Sequence, residues 1–106
     1  MRNALPITLF AFAMIHSNIS SATEASCKEF ADVTKTFHEA RDIEFSARHR
    51  PSSTLDLCPQ WKIMITMVRK QIQLLTVDLC GRPQSLIAMQ QGYLGTLEGR
   101  AQGCGL

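Results

Sequence analysis

The sequence predicts an all-α protein, a small up-down-up three-helix bundle stapled by two disulfides. Three observations carry that expectation. Apolar residues recur at helical spacing in three segments, the four cysteines fall near segment ends, and the first residues read as an export leader.

Arg2 supplies the positive start of the leader, and Leu5 to Ile15 forms its apolar core. That core is too short to span a bilayer, which takes about 20 apolar residues. Thr23 with Ala25, or Ser20 with Ala22, puts small residues where a signal peptidase reads them. Cleavage after Ala25 is the preferred expectation, with 1–25 as signal peptide and 26–106 as a single domain. The glycosylation sequon Asn18-Ile19-Ser20 falls inside the removed segment and carries no weight.

About 80 residues then remain, enough for one small domain whose burial alone contributes only about 3–5 kcal/mol. Two disulfides add about 2–4 kcal/mol each. The cysteines therefore have a structural reason to exist, and they point to an oxidising compartment, periplasmic or secreted. Past Ala25, ten Lys and Arg stand against eight Asp and Glu. That balance lacks the basic field a nucleic-acid partner requires.

Ser26 followed by Glu29 makes a capping box that starts the first helix, with Phe30, Val33, Phe37 and Ala40 along one face. Arg41, Glu44 and Arg48 continue onto that stripe, which predicts fraying or a bend near Phe45-Ser46 and an end between Ser46 and His49. The linker Arg50-Pro51-Ser52-Ser53-Thr54 follows. Pro59 suits the first turn of a second helix, and Trp61 to Leu79 runs without a breaker until Gly81 and Pro83. Its stripe of Trp61, Met64, Ile65, Val68, Ile72, Leu75 and Leu79 is widened by Ile63, Met67 and Leu74, the breadth of a central helix. A strand over the alternating Ile63, Ile65 and Met67 is the competing reading, but some twenty unbroken residues are too many for one strand.

The third helix begins after Pro83 with Leu86, Gln90, Tyr93, Leu94, Leu97 and Ala101 on one side. A second stripe of small residues, Ser85, Ala88, Gly92, Gly95, Gly99 and Gly103, forms a groove that admits the close approach of another backbone. Each interior glycine costs about 1 kcal/mol relative to alanine, so this helix depends on tertiary contacts and on Cys104. From Gly99 onward, helix and frayed tail are equally expected.

Geometry selects the disulfide pairing. Cys58 and Cys80 at the two ends of one helix are about 33 Å apart, whereas a disulfide needs Cα atoms within roughly 7 Å. In an up-down-up bundle Cys27 meets Cys80 at one end and Cys58 meets Cys104 at the other.

No constellation of nucleophile, base and orienting group is present, and the chain is expected not to be an enzyme. His38 and Asp42 have the i, i+4 spacing that can hold a metal, but His49 lies too far along to join them, so no metal is expected. Met64, Met67 and Met89 read as gap-fillers rather than as copper or haem ligands, and no cofactor is expected. The absence of Cys-x-x-Cys spacing argues against thiol exchange or structural zinc. The candidate partner-binding residues are Arg41, Arg48 and Arg50, with His49 among them, and the glycine face of Gly92, Gly95 and Gly99. That glycine face would also serve a symmetric dimer, and oligomeric state stays open.

The segment Ser26-Cys27-Lys28-Glu29-Phe30, with a later cysteine at a helix end, resembles the small periplasmic acid-stress chaperones over those few residues. Cys58, Cys104 and the Trp61 to Leu79 helix depart from that pattern, so no family follows. The outline is also similar to small periplasmic immunity and inhibitor proteins. The leading expectation is a small exported, non-catalytic helical protein that binds a partner protein. One alternative is a secreted membrane-active toxin or effector, motivated by the apolar breadth of the second helix. Another is a periplasmic acid-stress chaperone, motivated by His38 and His49.

Overall fold

A computed structural model of the chain describes residues 4–50 and 56–105, with side chains from residue 23 onward. Three α-helices, α1 (Ala4–Arg48), α2 (Cys58–Val77) and α3 (Ser85–Arg100), are followed by a short 3-10 turn at Gln102–Cys104. There is no strand among the described residues. The linker segment 51–55 lies outside them, as does Arg2.

The expected apolar face of α1 is buried as Phe30, Val33, Phe37 and Ala40. The helix does not start at Ser26, however. It runs through from Ala4, so the helical pattern gives the Glu29 N–H to the Ala25 carbonyl and leaves no cap for Ser26 to make. Nor does α1 fray at Phe45-Ser46. Glu44 is turned inward, 1 % exposed, and the helix continues to Arg48. Beyond it the backbone N–H of His49 donates to the Phe45 carbonyl at 3.1 Å, and the ring Nδ1, as its protonated tautomer, donates to the same oxygen at 2.9 Å. An imidazole thus closes the last turn.

Asp56 Oδ1 accepts from the Cys58 N–H at 3.0 Å where α2 begins, and a proline stands in the first turn. The helix stops two residues before the expected Leu79. Asp78 adopts an extended conformation and its Oδ1 accepts from the Cys80 N–H at 2.8 Å. Cys80 (φ 54) and Gly81 (φ 79) then take left-handed conformations that reverse the chain into α3. Met64, Ile65, Val68 and Leu75 of α2 are buried between α1 and α3, as befits a central helix. Ile63, expected to widen that face, is instead 39 % exposed, because its position falls to the side of both neighbours.

Leu97 and Ala101 point α3 at α2. The small-residue stripe therefore faces solvent, and among the described residues nothing beyond the local backbone of α3 lies within 4 Å of where a Cβ would stand at Gly92, Gly95 or Gly99. No other backbone among the described residues uses the groove. The tail is neither frayed nor α-helical at Gly103. It closes as the 3-10 turn, with the Cys104 N–H on the Ala101 carbonyl at 2.9 Å.

Both disulfides form as expected, Cys27–Cys80 with Cα atoms 5.7 Å apart and Cys58–Cys104 with 5.6 Å. They close long loops, with sequence separations of 53 and 46 residues. Such loops correspond to about 4 kcal/mol each in the loop-entropy account.

A polar layer crosses the otherwise apolar core. Buried Gln71 donates from Nε2 to Thr34 Oγ1 at 2.9 Å, and Gln90 donates from Nε2 to Gln71 Oε1 at 2.7 Å. One side chain from each helix takes part. Because an unpaired amide in a core is costly, the layer fixes the axial register of all three helices. Outside it, Lys70 pairs with Glu29 at 2.9 Å and the Arg82 guanidinium sits 4.3 Å from the Phe30 ring centroid.

Candidate functional site

The last turns of α1 supply one side of the site. Arg41, Phe45 and Arg48 are spaced by four and three residues and share a helical face. Phe45 is 55 % exposed, and its ring stacks on His49 with centroids 4.1 Å apart. Beneath this face lies Glu44. Its Oε1 accepts from Arg48 Nε at 2.9 Å and from the Trp61 indole N–H at 3.4 Å, so the buried carboxylate is met by a charge and a second donor.

The other side comes from α3. Tyr93 packs edge-on against Phe37, centroids 5.8 Å apart, and bridges α3 to α1. Burial pushes its phenol above the ordinary value. Arg100 opposes the shift, Glu44 adds to it, and Arg41 and Arg48 oppose it. Arg41 and Arg48 of α1 and Arg100 of α3 therefore all lie within electrostatic range of Tyr93. The edge holds three guanidinium groups and one exposed aromatic ring, with Glu44 buried beneath Arg48 and Asp42 exposed beside Arg41.

Of the three arginines expected as a patch, the structure brings together Arg41 and Arg48. Arg50 lies past the helix end, exposed, with its N–H on the Ala47 carbonyl at 3.2 Å. Arg100 takes the third place. It is 50 residues away in sequence, and the only signal for it was its helical spacing from Tyr93 on α3. Gly92, Gly95 and Gly99 lie on a different face of α3, open to solvent.

The metal candidates do not converge. His38 Nδ1 accepts from Arg41 Nη2 at 3.5 Å and Asp42 Oδ1 lies 3.7 Å from the same atom, so both already face a guanidinium. His49 is stacked on Phe45. Met64 is fully buried, Met67 packs partly buried against the core, and Met89 is 66 % exposed, so they share no site. Cys27, Cys80 and Asp78 do bring ligand atoms within 4.8 Å, but the two sulfurs are bonded to each other.

A depression of about 480 Å³ lies between α2 and the end of α3, lined by Lys62, Thr66, Arg69, Glu98 and Gln102 among others. Arg69 there is partnered by Glu98 at 3.6 Å. No helix of the described residues is long and apolar enough to cross a membrane. The chain matches no family model, no curated protein and no solved structure.

Proposed function

We propose that this chain is a small exported protein, periplasmic or secreted, that acts without catalysis by occupying the surface of a partner protein. A cleavable leader over residues 1–25 delivers it, and the two disulfides support an oxidising destination. The observation that carries the binding reading is exposed Phe45 set between Arg41 and Arg48 on one face of α1, with Tyr93 of α3 feeling the charge of both arginines and of Arg100.

Arginine and aromatic side chains dominate the residues whose loss weakens protein interfaces, because they bury large area and form several hydrogen bonds at once. Here they stand on α1 and α3 of a bundle that a disulfide staples at each end, so little conformational entropy is lost when a partner binds. The excess of guanidinium groups selects a partner surface bearing carboxylates.

The test is capture from the native extracellular or periplasmic fraction by three immobilised oxidised baits: wild type, Arg41→Ala/Phe45→Ala/Arg100→Ala, and Gly95→Leu on the other face of α3. One stoichiometric protein held by wild type and by Gly95→Leu, and lost by the triple variant, is the expected result. A partner kept by the triple variant and lost by Gly95→Leu moves the interface to the glycine face. No stoichiometric partner on any bait overturns the binding reading.

A further inference from the structure

Among the described residues, Ser26 Oγ is the only buried side-chain oxygen or nitrogen without a hydrogen-bond partner. A serine inside a helix ordinarily satisfies its hydroxyl at a carbonyl three or four residues back or in solvent. Ser26 does neither. Its natural acceptor role is closed as well, because the Glu29 N–H is committed to the Ala25 carbonyl in the continuous α1.

That conflict disappears if the chain ends between these two residues. Removing Ala25 takes away the carbonyl that holds the Glu29 N–H, and the first four N–H groups of the shortened helix become free. Ser26 then occupies the N-cap position, from which a serine hydroxyl accepts from the N–H three residues on. Glu29 stands at that place and completes a capping box. Cys27, next in the chain, is bonded to Cys80, and Phe30 is covered by the Arg82 guanidinium. The new helix end is thus held in place before any cap forms. Ala25 is exposed, and Thr23 and Ala25 are small enough for a peptidase that reads those two positions.

We propose that the Ala25–Ser26 bond is a processing site and that cutting it converts Ser26 from an unsatisfied interior residue into the N-cap of the mature first helix. The step is hydrolysis: water gives its hydroxyl to the Ala25 carbonyl carbon and a proton to the Ser26 nitrogen. Ala25 leaves as a carboxylate and Ser26 carries an ammonium, with the Glu29 carboxylate as nearby counter-charge. A cut after Ala22 gains nothing of the kind, since Ser26 stays three residues inside. The inference rests on the export reading above.

The full 106-residue chain is expressed in an exporting host, and the exported product is read by intact mass and N-terminal sequencing. A product beginning at Ser26 is expected. One beginning at Thr23 overturns this inference while leaving export standing, and retention of the uncut chain inside the cell overturns both. Urea unfolding of Ser26→Ala in the two forms supplies the second readout. In the exported product the substitution lowers the folding equilibrium constant about fivefold, the usual effect of losing a serine cap, and Ser26→Asp restores it. In the uncut chain, refolded and oxidised, Ser26→Ala leaves the constant unchanged or raises it. Equal losses in both forms overturn the cap.

Discussion

Trp61 on α2 donates its indole N–H to Glu44 on α1 across 3.4 Å, and Arg48 reaches the same carboxylate oxygen from one turn away at 2.9 Å. The pair explains why α1 keeps an acid on its core face. A buried carboxylate with its donors removed is expensive, whereas an apolar residue of similar size in its place is often neutral or better. Arg48→Ala is therefore expected to destabilise the protein by about 2 kcal/mol, less than a fully buried pair because the arginine is 43 % exposed on its side chain. Glu44→Leu is expected to cost under about 1 kcal/mol, and in that background Arg48→Ala becomes nearly silent. Urea unfolding of the three variants checks this, and additive losses would refute the coupling.

The Thr34, Gln71 and Gln90 layer makes a similar prediction across three helices. Gln71→Leu leaves the Thr34 hydroxyl and the Gln90 amide without their partners, at an expected cost of about 1–3 kcal/mol. Replacing all three, as Thr34→Val, Gln71→Leu and Gln90→Leu, removes every unpaired group and is expected to recover most of that loss. A triple variant no more stable than Gln71→Leu alone would show that the layer holds the helices by shape rather than by hydrogen bonds.

These two clusters mark where the sequence stops being legible. Phe30, Val33, Phe37 and Ala40 declare their face by spacing alone, and the pairing of Cys27 with Cys80 follows from the length of α2. Spacing puts Glu44 on that same stripe but its charge makes it read as a sign of fraying, and Gln71 is passed over, because periodicity sorts residues by type. Their burial depends on donors that only the assembled bundle brings within reach. The choice between the two stripes of α3 was legible in kind but not in outcome. Burying leucine and tyrosine removes far more apolar area from water than burying glycine, at about 25 cal/mol per Å². The Leu97 side turned inward and the glycine face was left outside. Arg100 was missed because it comes to act on the same phenol as Arg41 only after that choice is made.

The two disulfides fix different ends and are expected to fail differently. Cys58 and Cys104 tie the start of α2 to a single 3-10 turn that has few other contacts. Cys58→Ser/Cys104→Ser is expected to cost about 2–4 kcal/mol and to accelerate amide exchange selectively beyond Leu97. Loss of Cys27–Cys80 exposes exchange instead at the α2–α3 turn, where Cys80 and Gly81 hold left-handed conformations. Mass-resolved hydrogen exchange on each double variant distinguishes the ends. Uniform acceleration along the chain in both would sink the distinction.

Tyr93 offers a direct probe of the arginine edge, because it is the single tyrosine of the chain. Its phenol is raised from 10.0, chiefly by burial, with Arg100 the largest opposing influence. Between the unfolded value and the raised folded one, the native state binds the proton that the unfolded state has lost. The contribution to stability is therefore fully present below about pH 10 and is lost as pH climbs through the folded value. Tyr93→Phe is expected to match wild type to within about 0.5 kcal/mol at neutral pH, and to show a shallower fall in stability above pH 10. Arg100→Ala removes the opposing cation, so the near-ultraviolet absorbance titration of Tyr93 moves further upward. A midpoint that stays put or falls would mean that Arg100 does not face the phenol, and the edge from which partner binding is inferred would lose its α3 half.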